Sequence, residues 1–597
     1  MAQWIAGISI GHNAGVCLLK DGEIVFSVEE ERLSRFKHEG GPLLSMMKIL
    51  DYTDKIDYLI VAGLTIGGDE VASKQHTTFE YTREPIYQGF ARRLGLIKQM
   101  AKGTSPSDRH PQVINMFQNH HAQHAAIGFF NSGFESAATV VIDSCGSSVQ
   151  YGNEETTDLY FEVESIFDCS YSKTMYPLYK KMGTNNGPSI YSIDKGTETI
   201  GDASGGIGKV WDCITNYCGF HYNDSGKTMG LSAFGSPNEN IPPLFNGITS
   251  NKDLFLNKYF VRQGSESTVN ISKQEYTFLD DVSWDSELTL SQNRRDMAYA
   301  VQVETQEQAL QLILKASEIS GNKNVVLTGG YALNCVSNYN YLDTLNKYGI
   351  NLYVEPNSSD AGTATGAALT FYYHITKNTT VRKRNDNLFL GPKYDYSFEE
   401  ISEKCGGEIS IVGTKDVAKL IEEGNIVSIF QGRSEAGPRA LGNRSIVFNP
   451  TIVNGKDLVN RVKGREYFRP FAGSVLKEHA HEWFDMKGLE ESPSMMYAVD
   501  LKEGKADLVP SICHIDNTCR IQTVTEEKNR NFYGLIEEFY KLTNVPILFN
   551  TSFNLGGEPL VETIDDALLT LANSEIEYCW MPEINSLIRL HNEGVKI

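Results

Sequence analysis

The sequence predicts an α/β protein: a duplicated nucleotide-binding core followed by a second α/β unit. Three observations carry this. A strand–turn–strand unit opens the chain, a similar unit recurs near residue 140, and a later strand runs through a glycine pair into a helical stretch. The last arrangement is how a backbone aims N–H groups at a phosphate.

The elements follow in order. Trp4–Ile10 is apolar and β-prone, and residues 11–15 form a turn that holds His12. Residues 16–19 read as a second strand, Asp21-Gly22 as a tight hairpin and residues 24–28 as a third strand. Residues 138–142 are again a strand, which sets Asp143 at its end beside a Ser/Gly-rich turn over 143–148. Residues 324–327 lead into Thr328-Gly329-Gly330 and a helix. The polar, aperiodic stretch 374–396 reads as a boundary. We place a first domain at 1–380, a linker at 381–395 and a second domain at 396–597. In the second, residues 417–423 read as helix and 426–430, 519–524 and 545–549 as strands, the last ending in a loop over 550–554.

Bulk properties narrow the class. With 597 residues, 41% hydrophobic and 22% charged, the chain fits a soluble protein of more than one domain. No apolar run suits a membrane span and no signal peptide is read at the start. The ten cysteines form no CxxC pair, which points to a reduced cytoplasmic protein. A net charge of −21 argues against broad nucleic-acid binding.

Against that acidity stands a basic block. Between residues 431 and 470 there are eight Lys/Arg and three Asp/Glu, set among Gly and Pro. The local acids cannot neutralise these cations, so phosphate is the obvious partner. Arginine suits it because a guanidinium fork binds two oxygens at once. Arg439, Lys463, Arg465 and Arg469 lie in this block, with Arg520 and the 550–554 loop as further candidates. A charged surface loop is the plainer reading, but these cations are interleaved with Pro, Phe and Gly.

Other candidates are weaker singly. His120 and His124 are four apart and share a helix face, whereas His121 points elsewhere. With Asp143 and Asp360 they make a mixed N/O set suited to iron, zinc or manganese rather than calcium. For the two histidines alone, a helix surface without metal is the better reading. His12, with an ordinary pKa near ~6.5, can take a proton at neutral pH, or be a solvated turn histidine. Lys37 is equally ambiguous, and the Gly329-Gly330 pair fits packing as readily as phosphate. The glycines over 201–212 and 226–235 match no P-loop.

Taken together, these pieces resemble the carbamoyltransferase family of nodulation-factor and antibiotic (tobramycin-type) O-carbamoyltransferases. The match is carried by EEERLSRFKH, NHHAQHAA, VVIDSCG, GKTMGLSAFG, GGYALNC, SSDAGTATGAA, GPRALGNRSI, VKGREYFRPFA, CRIQTV and NTSFN, in that order. The resemblance implies an actin-like (ribonuclease H-like) carbamoyl-transfer domain fused to a YrdC-like domain. The second would make carbamoyl adenylate from carbamoyl phosphate and ATP, with Mg. The first, with iron as the implied metal, would move the carbamoyl group to a hydroxyl. By that resemblance His120, His124, Asp143 and Asp360 match metal ligands, His12 the general base and Lys37 an active-site lysine. Arg439, Lys463, Arg465, Arg469, Arg520, Asn550 and Ser552 match the carbamoyl phosphate and ATP site. Gly329, Gly330 and Asn334 are placed at the adenylate in the first domain. Relatives that modify tRNA hold a ribose with an acidic pair, where this chain has Gly206 and Lys209. Hydrogenase-maturation relatives carry CxxC pairs that are absent here.

The acceptor stays open: a secondary-metabolite or sugar alcohol, or a hydroxymethylated base in DNA. The basic, aromatic stretch 77–107 either lines the acceptor side or packs on the core. Threonylcarbamoyl transfer to tRNA is a second enzyme reading, and an ATP-sensing actin-like scaffold a non-enzyme one. No membrane partner is expected, and a homodimer is left open.

Overall fold

The computed structural model describes residues 2–63, 86–97, 112–153, 156–172, 175–184, 191–257, 269–271 and 291–590. Its first sheet has the order β3-β2-β1-β4-β5, from β1 (Trp4–Ile10), β2 (Gly15–Lys20), β3 (Glu23–Glu29), β4 (Tyr58–Gly63) and β5 (Val113–Asn115). β1, β2 and β3 run antiparallel, and β4 and β5 add in parallel to β1.

The second sheet repeats the plan. We number β6 (Ser136–Ile142), β7 (Ser148–Asn153), β8 (Thr156–Ser170), β9 (Tyr176–Thr184), β10 (Tyr191–Asp194) and β11 (Thr197–Asp202). Two short ribbons follow, β12 (Phe245–Asn246) with β13 (Thr249–Ser250) and β14 (Phe255–Asn257) with β15 (Val269–Ile271), then β16 (Asn324–Thr328) and β17 (Asn351–Val354). The run β9-β8-β6-β16-β17 has the same order and directions as the first sheet. The duplicated actin-like plan expected from the sequence is therefore written in the strand order itself.

Two helices lock the halves together. The histidine helix, His120–Ser132, follows the first sheet but packs on β6 and β16 of the second. Helix Thr363–Thr376 follows the second sheet but packs on β1, β2 and β4 of the first. The two helices cross each other, and small residues make the crossing close. A Cβ added at Gly366 would lie 1.9 Å from the Gln123 carbonyl oxygen, and one at Gly7 would lie 2.0 Å from that of Ala364. Ala125, Ala126, Ala364, Ala367 and Ala368 fill the layer between the sheets.

The second domain is a mixed ten-stranded sheet. Its strands are β18 (Glu408–Ile411), β19 (Val427–Phe430), β20 (Arg444–Phe448), β21 (Ala472–Leu476), β22 (Phe484–Asp485), β23 (Ala498–Leu501), β24 (Thr518–Val524), β25 (Ile547–Ser552), β26 (Tyr578–Met581) and β27 (Ser586–Arg589). They lie in the order β18-β27-β26-β19-β20-β25-β21-β24-β23-β22. One expectation is corrected here. Residues 550–552 are strand, not loop, pairing with β20 on one side and, at Asn550, with β21 on the other. The polar Asn550 is tolerated in a central strand because its amide donates to Ser474 Oγ (2.9 Å) and Gln522 Oε1 (3.2 Å).

Many polar contacts bind the domains along one seam. Arg32 Nη2 donates to the Gly437 carbonyl at 2.6 Å, Arg439 Nη2 to that of Leu333 at 3.1 Å, and Asn338 Nδ2 to that of Met496 at 3.0 Å. Phe220 packs against Phe468 across it. No described helix is long and apolar enough to cross a membrane. Of the stretch 77–107, only residues 86–97 are described; the rest of that expectation lies outside the described residues.

Gly366→Ala drives a methyl into the Gln123 carbonyl, so we expect a loss of about 1–3 kcal/mol, typical of overpacking. A urea-unfolding curve checks this; an unchanged midpoint contradicts the tight crossing.

Candidate active site

The helix crossing sets Asp360, one turn before helix Thr363–Thr376, over the start of the histidine helix. Asp143 arrives from the end of β6. Candidate ligand atoms of His120, His124, Asp143 and Asp360 lie within 4.8 Å of one another. The two Nε2 atoms of His120 and His124 are 3.1 Å apart. His120 Nε2 is 3.2 Å from Asp143 Oδ2 and 3.7 Å from Asp360 Oδ1. His124 Nε2 is 3.6 Å from the latter atom. Both rings are buried, so two imidazole nitrogens and two carboxylates converge on one point out of water. This donor set of two imidazoles and two carboxylates fits a divalent transition ion.

The acids and histidines of the cluster shift one another's titration. Burial would lower the His120 pKa, but Asp360 and Asp143 raise it overall. Burial would raise Asp143, yet the hydrogen bond to His120 and the charges of both histidines bring it down to about 2. Asp360 is likewise held well below the usual carboxylate range despite burial, chiefly by His12 and His120. His121 faces away, its Nδ1 2.8 Å from Ser165 Oγ.

His12 Nδ1 sits 3.2 Å from Asp360 Oδ2, with 42% of its side chain accessible. Desolvation opposes its charge, but the Asp360 carboxylate outweighs it and lifts the pKa to about 9. Lys37 Nζ lies 3.5 Å from Asp224 Oδ1.

The glycine pair also meets this centre. Gly329 has φ +89°, and Gly330 N–H donates to Asp143 Oδ1 at 3.4 Å. Asn334 is engaged otherwise: its Oδ1 caps helix Cys335–Tyr348 at Ser337 N–H, and its Nδ2 donates to Gln302. Gly206, with φ +73°, opens helix Gly206–Tyr217, and Lys209 of that helix pairs with Asp212.

The basic block forms a second cluster on the seam. Lys463, 2% exposed, donates to Asn554 Oδ1 (3.1 Å), to Ser552 Oγ (3.4 Å) and to the Ser552 carbonyl. Arg465 donates to Asn460 Oδ1 at 2.6 Å and stacks on Phe471. Arg439 Nε, Arg520 Nε and Asn550 Oδ1 are buried without partners. Of these five cations only Arg469 has a carboxylate within ion-pair reach among the described residues, Glu466 at 3.7 Å. Burial and mutual repulsion push Arg439 down to about 9 and lower Lys463, Arg465 and Arg520. Cations that destabilise one another in a dry site are set for an anion.

A line of ion pairs joins the two neighbourhoods. From Lys37 it runs through Asp224 to Lys227 (3.2 Å), then to Glu466 (2.8 Å) and Arg469. Sequence reading missed several groups here. Asp212 lies against the Ser144 hydroxyl near Asp143 and His12, and burial raises its pKa. His38, at φ +59°, sets Nδ1 3.3 Å from Asn13 Oδ1. The adjacency of His38 to Lys37 was the only signal for it, and Asp212 had only its spacing of three from Lys209.

Comparison with known proteins identifies related chains. The family description "Carbamoyltransferase N-terminus" matches residues 90–369, and "Carbamoyltransferase C-terminus" matches 418–586. Nodulation protein NolNO of Sinorhizobium fredii is 29% identical over 95% of this chain and 77% of its own. An uncharacterized Synechocystis protein is also 29% identical, over 96% of this chain and 95% of its own. Among solved structures, HypF in a phosphate- and nucleotide-bound form aligns with 63% of this chain and 56% of its own, at 12% identity and a TM-score of 0.30.

His120→Ala removes one of four convergent donors. Purified with divalent iron or cobalt, this variant is expected to hold less than a tenth of the wild-type metal by elemental analysis. Full occupancy would contradict the ligand set.

Proposed function

The chain belongs to the carbamoyltransferase family and is a carbamoyltransferase, and on that footing we propose an ATP-dependent O-carbamoyltransferase with two separate reaction centres. The observation that carries this is the buried cation cluster on the seam, in a chain that also gathers His120, His124, Asp143 and Asp360.

A carbamate is a poor acyl donor, because its nitrogen feeds electrons into the carbonyl. In the cation cluster, water would cleave carbamoyl phosphate to carbamate and phosphate, and the carbamate oxygen would then attack the α-phosphorus of ATP, forming carbamoyl adenylate as the bond to the departing pyrophosphate breaks. Arg439, Lys463, Arg465, Arg469 and Arg520 would offset phosphate charge there, with Asn550 and Ser552 giving hydrogen bonds. In the first domain the acceptor hydroxyl oxygen attacks the carbamoyl carbon, and AMP leaves with the electron pair of the broken bond. His120, His124, Asp143 and Asp360 would hold a divalent ion, iron by family resemblance, which supplies charge neutralisation for the departing phosphate. Gly329 and Gly330 would let the backbone approach the adenylate. His12 is the group we assign to the acceptor's proton. The lone pair it needs is free when the charge of Asp360 is engaged by a ligand rather than by the imidazolium. Lys37 is placed to meet an anionic substrate. The domain limits 1–380, 381–395 and 396–597 go with this division of labour.

The acceptor class is a hydroxyl of a secondary metabolite or sugar, with a hydroxymethylated base as the other candidate. Threonylcarbamoyl transfer would need threonine and bicarbonate in place of carbamoyl phosphate, and the donor test below separates the two.

Wild-type protein given ATP and carbamoyl phosphate should release pyrophosphate, and candidate alcohols should gain one carbamoyl group by mass spectrometry. Arg469→Ala should cut pyrophosphate release by about 10² or more, the scale for losing a charged contact to a reacting phosphate. Pyrophosphate release only with threonine and bicarbonate, or wild-type rates in the variant, would overturn the assignment.

A further inference from the structure

The histidine helix has no cap of its own. Its N-cap residue, Asn119, makes no side-chain hydrogen bond to the helix, and the first residue of the helix is His120. Two N–H groups at this buried end are instead met from another part of the chain. Ser147 Oγ accepts from His120 N–H at 3.0 Å and donates to the Phe117 carbonyl at 2.8 Å. Glu162 Oε2 accepts from His121 N–H at 3.3 Å.

The same Glu162 oxygen also accepts from Ser147 N–H at 3.2 Å. Ser147 lies in the turn that begins at Asp143, and the turn is fixed to β8 by Gly146 N–H to the Glu162 carbonyl (2.7 Å) and Glu162 N–H to the Ser147 carbonyl (3.1 Å). One carboxylate thus joins the element that carries both histidines to the loop that carries Asp143. Its other oxygen pairs with Lys180 on β9.

The next acid on β8 is used in a parallel way. Glu164 pairs with Lys181 at 2.6 Å and accepts from Ile207 N–H at 3.0 Å, at the start of helix Gly206–Tyr217. The β8–β9 register shifts between Glu162 and Glu164, a bulge that re-aims neighbouring side chains. Two buried acids, each with its lysine, therefore meet two helix starts beside the site. A negative charge there also suits the helix dipole.

We propose that Glu162, acting with Ser147, is a positioning residue that sets the spacing between the histidine pair and Asp143 and thereby fixes the centre's affinity for its metal. This rests on the reading of those four side chains as metal ligands. Groups that hold ligands in place without touching the ion typically change affinity 10–100-fold when removed.

The test uses the full chain stripped of metal and titrated with Co²⁺, followed by its visible absorption. Glu162→Ala and Ser147→Ala should weaken Co²⁺ binding by about 10–100-fold and alter the ligand-field bands. Glu162→Gln keeps an oxygen acceptor for both N–H groups and should restore most of the affinity. Wild-type affinity and spectrum in folded Glu162→Ala would overturn the proposal; if that variant does not fold, wild-type behaviour in Ser147→Ala overturns it. Equal weakening in Glu162→Gln and Glu162→Ala would also count against it, because charge rather than placement would then be at work. Failure of wild-type protein to bind Co²⁺ at all would instead remove the metal reading on which the proposal stands.

Discussion

The exchange of two helices between two sheets is the constraint on which the rest depends. Each helix leaves the sheet it follows and packs on the other, and the crossing works because glycine and alanine let backbones touch. That contact brings Asp360 to His120 and His124, residues that no local structure could join. The end of β6 then supplies Asp143. The site is thus a product of close packing before it is a product of charge.

Charge decides what the site can do. At the first centre, two carboxylates meet two buried imidazoles, and the half-exposed His12 approaches Asp360. At the second, five cations crowd together with one carboxylate in ion-pair reach among the described residues. Each centre is electrostatically incomplete, in opposite senses. In the proposed function the first is completed by a cation and the second by phosphate groups. Family membership supplies the carbamoyl transfer, and the proposal divides it between the two places.

Much of this was legible in the sequence, for stated reasons. The opening strands announce themselves by apolar β-prone runs and the Asp21-Gly22 turn. His120 and His124 are readable as one face because helical spacing is local. Asp143 is readable because a strand ends at it. The density of cations around Arg439 to Arg469 is visible against an acidic chain. What could not be read depends on distant contacts. Asn550 and Ser552 looked like loop residues, and only their partners on neighbouring strands hold them in the sheet. The contact of His12 with Asp360 joins residues far apart along the chain. The contacts of Asn334 were also not readable: its amide meets Gln302 and caps the helix that follows. Glu162 gave no signal at all, because its role exists only once β8 lies beside the start of the histidine helix.

The central claim is that two half-reactions occur at two separable places. The most direct measurement follows pyrophosphate release and acceptor carbamoylation together in His120→Ala supplied with ATP and carbamoyl phosphate. The account predicts that pyrophosphate release continues while the acceptor stays unmodified. Loss of both, or carbamoylation at the wild-type rate, would contradict it.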